Sequence, residues 1–135
     1  MRIKEECKEQ LTDTRIKCEE YKRKIIFINS SRMIVNKIRV DGCQIIDGIK
    51  CDFLVTYDRT ENFIELKGEN IKHALDQIIR TISILGNNNC YNRNSYIISS
   101  RSPLSAADIQ NHRLQFKRKY KSSLIVKNSN LEVRI

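Results

Sequence analysis

No apolar run in this chain of 135 residues reaches the roughly 18 residues that a membrane-spanning helix needs. The first ten residues, MRIKEECKEQ, are charged from the start and lack the apolar centre of a secretory signal. The expected setting is therefore the cytoplasm, where thiols stay reduced. Histidine is scarce, with His73 and His112 alone, and no two of the five cysteines (Cys7, Cys18, Cys43, Cys51, Cys90) form a CxxC pair. Structural zinc needs clustered ligands at short spacing, so these cysteines read as free, mostly buried thiols. Internal repeats, low-complexity tracts and linkers are also absent. Acidic side chains run out near the end: residues 101–135 hold eight basic and two acidic groups, against nine and eight in 25–100 and eight and six in 1–24. Most of the net charge of +9 thus sits in the last quarter, a footprint that suits a phosphate backbone.

What remains is one domain's worth of chain, residues 1–135, at 40% hydrophobic and 30% charged. Steps of three and four through Ile3, Cys7, Leu11, Thr14, Cys18 and Tyr21 predict a helix over 3–22. Residues 24–28 read as a short strand or the end of that helix, and strands are expected at 33–40, 49–57 and 62–67, with Asp47-Gly48 as a hairpin signal between the first two of these. Ile71, Ala74, Leu75, Ile78, Ile79, Ile82 and Leu85 form a continuous stripe, so 70–85 reads as a helix ended by Gly86. A strand at 95–100 follows. Ser105 as N-cap, with Asp108 in capping-box position, opens a helix over 105–121. Segments 123–127 and 131–135 are expected to pair as a terminal hairpin. The order predicts an α/β (α+β) domain: a single mixed β-sheet flanked by helices.

Alternation on the strands at 49–57 and 62–67 groups charged residues. A two-residue turn at Asp58-Arg59 pairs Tyr57 with Thr60 and sets Asp52 opposite Glu65, with Lys67 on the same face. The apolar faces then coincide, with Ile64 and Leu66 turned toward the stripe of the helix at 70–85. A one-residue slip would bury a charged pair. Two carboxylates converging from neighbouring strands make a hard oxygen site suited to magnesium or manganese. The lysine beside them can steady a nucleophilic water or charge on phosphorus. Asp41 falls on the same face if Asp47-Gly48 is a two-residue turn, unless Gly42 marks a bulge.

Asp, a turn, Glu-x-Lys at the end of the next strand and then an amphipathic helix resembles the core of PD-(D/E)XK nucleases, the restriction-endonuclease-like and Holliday-junction-resolvase-like fold. Here the motif reads Cys51-Asp52-Phe-Leu-Val and Ile64-Glu65-Leu66-Lys67-Gly68, with cysteine where the motif name has proline. The resemblance covers residues 33–100 and implies a catalytic set of Asp52, Glu65 and Lys67. It also implies a Mg2+ or Mn2+ ion on Asp52, Glu65, the Leu66 carbonyl and a candidate Asp41. Gln77 stands where some branches carry a helical glutamine. The glutamate that many members carry on a first helix stays open among Glu5, Glu6, Glu9, Glu19 and Glu20. The implied activity is metal-dependent hydrolysis of phosphodiesters, with DNA ahead of RNA. The runner-up is a catalytically silent nuclease-fold module that binds nucleic acid or a protein. Arg101, Arg113, Lys117, Arg118, Lys119 and Lys121 are the expected phosphate contacts, with Phe116 and Tyr120 turned inward on the same helix. A domain this small has little room for specificity elements, so a homodimer or larger complex is expected, and no membrane.

Overall fold

The computed structural model describes residues 2–66, 70–99 and 105–135. The helix expected over 3–22 is not formed. A single 3-10 turn at Glu5–Cys7 leads into β1 (Lys8–Leu11), and β2 (Arg15–Glu20) pairs antiparallel with β3 (Arg23–Ile28). The physical reason is the weakness of the helical stripe, half of it Cys and Thr, against a period-two pattern in the same residues. Ile16 and Cys18 alternate with exposed Arg15, Lys17 and Glu19, and they bury against Ile25 and Phe27. Tyr21, the last residue of the supposed stripe, lies in the tight turn with positive φ and is 76% exposed.

The next elements follow the sequence more closely: β4 (Val35–Arg39), β5 (Phe53–Tyr57), β6 (Thr60–Glu65), α1 (Ile71–Leu85), β7 (Asn92–Ser99) and α2 (Ala106–Tyr120). Ser105 caps α2 by accepting from the Asp108 N–H, and its hydroxyl donates to the Asp108 carboxylate. The terminal hairpin is not formed. β8 (Ser123–Asn128) pairs parallel with β7, whereas β9 (Asn130–Arg134) pairs parallel with β3. Ser129, at positive φ, turns the corner between them. The expected single sheet is therefore two, a six-stranded sheet in the order β1-β4-β5-β6-β7-β8 and a three-stranded sheet in the order β2-β3-β9.

The result is a mixed α+β fold in three layers. Leu54, Phe63 and Ile97 on one face of the large sheet pack under α1 and α2 through Leu75, Ile78, Ile82 and Phe116. Val55, Ile64, Leu66, Tyr96 and Ile98 on the other face pack on Ile16, Cys18, Ile25 and Phe27 of the small sheet. Two assignments are corrected here. α1 covers the face of Phe63 and Leu54 rather than that of Ile64 and Leu66, and neither face is left to water. β6, enclosed on both sides, is buried along its whole length. Among the described residues no helix is long and apolar enough to cross a membrane.

Asp47-Gly48 does not form a two-residue hairpin turn. The β4–β5 register runs to Arg39 opposite Phe53, so the connection is a long loop. Its Asp47–Ile49 stretch wraps the Arg80 guanidinium, which donates to the Asp47 and Ile49 carbonyls. Two of the thiols expected to be free are bonded: Cys7 and Cys43 form a disulfide with a Cα–Cα distance of 5.7 Å. Cys18 and Cys51 are free and buried, and Cys90 is free and half-buried. The bridge joins residues 36 apart in sequence, which in the chain-entropy picture corresponds to about 4 kcal/mol. Reduction, or Cys43→Ser, is expected to lower the unfolding free energy by about 2–4 kcal/mol. Urea titrations with and without reductant measure this, and an unchanged midpoint would show that the crosslink carries no stability.

Candidate functional site

Asp58 and Arg59 both adopt positive φ, and this primed two-residue turn pairs Tyr57 with Thr60 as the sequence predicts. Register then carries Phe53 to Ile64. One step further, the ladder changes. The Asp52 N–H donates to the Ile64 carbonyl, so Asp52 and Phe53 both oppose Ile64, which is a β-bulge. On the other side, the N–H groups of Val40 and Asp41 both donate to the Asp52 carbonyl. The extra residue shifts the alternation by one. Cys51, which regular alternation would put on the face of Phe53, packs instead in the cluster under α1.

The bulge brings the Asp52 carboxylate to the end of β6. Its Oδ2 accepts the Leu66 N–H at 2.7 Å. Hydrogen bonds join it to Glu65 on one side and to Glu20 of β2 on the other. Asp52 is 4% exposed and Glu65 2%. Burial pushes Glu65 up to about 9, and the charge and hydrogen bond of Asp52 add to the rise, with smaller contributions from Glu20 and Asp41. Burial also raises Asp52 to about 6, helped by Glu20 and opposed by the Leu66 N–H. The physical content is a pair that holds one proton between two oxygen-rich groups at neutral pH. Glu65 Oε1 is buried and has no hydrogen-bond partner among the described residues.

An orphaned carboxylate oxygen beside a second carboxylate fits a hard cation, so the residues present suit the ion that the motif implies. The acidic row does not itself converge on one point. Among the described residues no group of three or more His, Cys, Asp and Glu side chains is placed to hold an ion. Magnesium commonly takes one or two carboxylates and keeps several waters, which matches a two-carboxylate site.

The other expected site residues are distributed as follows. Asp41 is 46% exposed on its side chain and pairs with Lys50 at 3.7 Å, acting on Glu65 through its charge. Gln77 Nε2 donates to the Lys50 carbonyl at 3.1 Å. Lys67 and Arg101 lie outside the described residues. Arg113 Nε donates to the Leu124 carbonyl, tying α2 to β8. Phe116 is buried and meets Tyr120 edge to face, as expected. Lys117, Arg118, Lys119 and Lys121 are exposed, but they stand at the opposite end of the sheet from the carboxylates. Arg93 Nη1 donates to the Tyr120 carbonyl and Arg93 pairs with Glu61, whereas Glu65 aligns with Ile97. The four steps from Arg93 to Ile97 correspond to about 13 Å along the strand.

Of the five glutamates left open, Glu20 is the one that reaches the pair. It follows Ile16 and Cys18 on the inward side of β2, a signal visible only when the segment is read at period two. A cleft of about 880 Å³ has Arg59, Glu61, Asn87 and Asn89 in its wall but neither Asp52 nor Glu65. We place the candidate site at the carboxylates because two buried carboxyl groups, with one oxygen lacking a partner among the described residues, are costly without a ligand. Cys18 and Cys51, pushed by burial up to about 12, are thiols at neutral pH and supply no nucleophile. No family model, curated protein or solved structure matches the chain.

Glu65 keeps its proton longer in the fold than in the unfolded chain. Its contribution to stability is fully present below its ordinary value of 4.5 and is lost as pH rises through about 9. In metal-free buffer the melting temperature is therefore expected to fall between pH 5 and 9, by the equivalent of a few kcal/mol. Glu65→Gln should flatten that slope and gain stability at the alkaline end. Melting curves across the range, for both proteins, decide it.

Proposed function

We propose that this chain is a metal-dependent phosphodiesterase acting on nucleic acid, DNA ahead of RNA, with a restriction-endonuclease-like core of the PD-(D/E)XK type. The observation that carries the reading is the buried Asp52–Glu65 pair, whose Glu65 Oε1 has no partner among the described residues. The order Asp52, turn, Glu65-Leu66-Lys67, amphipathic α1 supports it. Asp52 and Glu65 would hold the ion, with the Leu66 carbonyl as a third oxygen. A bound magnesium or manganese ion would supply Lewis acidity toward water and the phosphate. Loss of the shared proton from Asp52 and Glu65 is the step that opens the pair to a cation, so alkaline pH favours loading. Lys67 carries the positive charge that would steady a water or the charge on phosphorus.

The cations of α2 are remote from that chemistry. Among the described residues, Lys117, Arg118, Lys119 and Lys121 have no carboxylate partner. They fit a role in holding the backbone of a polymer rather than the scissile phosphate. At about 3.4 Å per base pair, about 13 Å is a reach of about four base pairs. The same exposed cations favour, as the second reading, a silent module that binds nucleic acid without cutting it.

Cleavage of single- and double-stranded DNA and RNA, with and without Mg2+ or Mn2+, tests the function. Metal-dependent cleavage by the wild type, lost at least a hundredfold in Glu65→Ala and Lys67→Ala, is expected. Binding without cleavage by the pure protein on every substrate would leave the silent module as the correct reading. Replacing Lys117, Lys119 and Lys121 together by Gln should lower the salt slope of binding by up to about 3, roughly one for each phosphate left without its cation. Turnover of saturating substrate should stay close to the wild-type rate. An unchanged salt slope would remove α2 from the interface.

A further inference from the structure

Regular pairing across the Asp58-Arg59 turn would make Cys51 and Leu66 a hydrogen-bonded pair, each donating its N–H to the other's carbonyl. Neither bond is made as the ladder requires. The Cys51 N–H donates to Thr81 Oγ1 of α1 at 2.9 Å, and the Leu66 N–H donates to the Asp52 carboxylate at 2.7 Å. Thr81 is 0% exposed, and its hydroxyl donates a hydrogen bond to the Gln77 carbonyl at 2.8 Å. Gln77 Nε2 in turn donates to the Lys50 carbonyl at 3.1 Å. One turn of α1 thus holds residues 50 and 51 in place of the strand partner that the bulge removed.

We infer that Thr81 is a positioning residue for the carboxylate site, resting on the proposed metal-dependent function. By taking the Cys51 N–H, it relieves the Leu66 carbonyl of its ladder donor and leaves the Leu66 N–H to orient Asp52 beside Glu65. Gln77 acts in the same clamp through Lys50, one residue further from the pair. Neither side chain touches the site directly. A buried threonine on the apolar side of a helix satisfies a hydrogen bond in many folds. Here its partner is the residue next to Asp52, and the bond it replaces is the one that would claim a candidate ligand oxygen.

The test measures Mn2+ binding to the whole chain by calorimetry across pH 6–9, together with the melting temperature in metal-free buffer. The proteins are wild type, Thr81→Val, Thr81→Ser, Gln77→Met and Glu65→Gln. Thr81→Val keeps the shape and removes the hydroxyl, so it should weaken Mn2+ binding by about 10–100-fold, the range typical of groups that orient ligands. Thr81→Ser restores the acceptor and should bind within about threefold of wild type. Gln77→Met, at a half-buried position, should weaken binding less and fold even where Thr81→Val does not. A folded Thr81→Val protein, or Gln77→Met where that variant fails to fold, that binds Mn2+ as the wild type does overturns the inference. Absence of Mn2+ binding in the wild type, with no difference from Glu65→Gln, overturns the metal site itself, and that outcome is separate from the first.

Discussion

Two carboxyl groups are buried side by side, and most of the local structure follows from how the fold supports them. A carboxylate loses several kcal/mol of solvation when buried, and a second one beside it adds repulsion. The chain meets this with one shared proton and one backbone N–H from Leu66, while Glu20 across the layer raises the tendency of both groups to hold that proton. None of these removes the demand of Glu65 Oε1. An apolar pair of the same volume would pack there without this cost. Retention of two acids at such a point is the pattern expected where a positive ligand is to be bound.

The surrounding layers explain why the pair is held so firmly. β6 is covered by α1 on one face and by the small sheet on the other, and Glu65 at its end is buried. The primed turn at Asp58-Arg59 fixes register from one end, and the bulge at Asp52 resets it at the other. Between them lie five paired positions, Phe53 to Tyr57 against Thr60 to Ile64. The Cys7–Cys43 bridge anchors the loop that enters β5, and Arg80 closes over its Asp47–Ile49 segment. The loop is long, but its ends and its middle are each tied down.

Legibility in the sequence tracked the range of the interaction involved. The turn, its pairing of Tyr57 with Thr60, the α1 stripe, the Ser105–Asp108 cap and the inward Phe116 and Tyr120 are local, and the sequence predicts each. The β1–β2 region is misread because its helical stripe is thin and its true partners, Ile25, Phe27 and the β4 edge, are contributed by other segments. β9 is misread for the same reason, since its partner β3 lies at the other end of the chain. Alternation set Asp52 directly opposite Glu65, whereas the bulge sets Asp52 against Ile64 and brings its carboxylate to the end of β6 by another route. A bulge is one extra residue with no composition of its own. The disulfide has no local signature, because its cysteines stand 36 residues apart.

The charge distribution joins these points. The net +9 suits a polyanion, yet the carboxylates sit at the end of the sheet away from the exposed cations of α2. Anionic phosphate would be drawn to α2 and repelled by Asp52 and Glu65 unless positive charge stood between them. The proton on the pair lessens that repulsion without creating attraction, whereas a divalent ion reverses its sign. The arrangement thus separates holding from reacting: α2 supplies attraction at a distance and the pair determines whether the near end accepts a phosphate. A polymer long enough to span both ends gains from each. A free nucleotide, reaching only one of them, gains from that one alone.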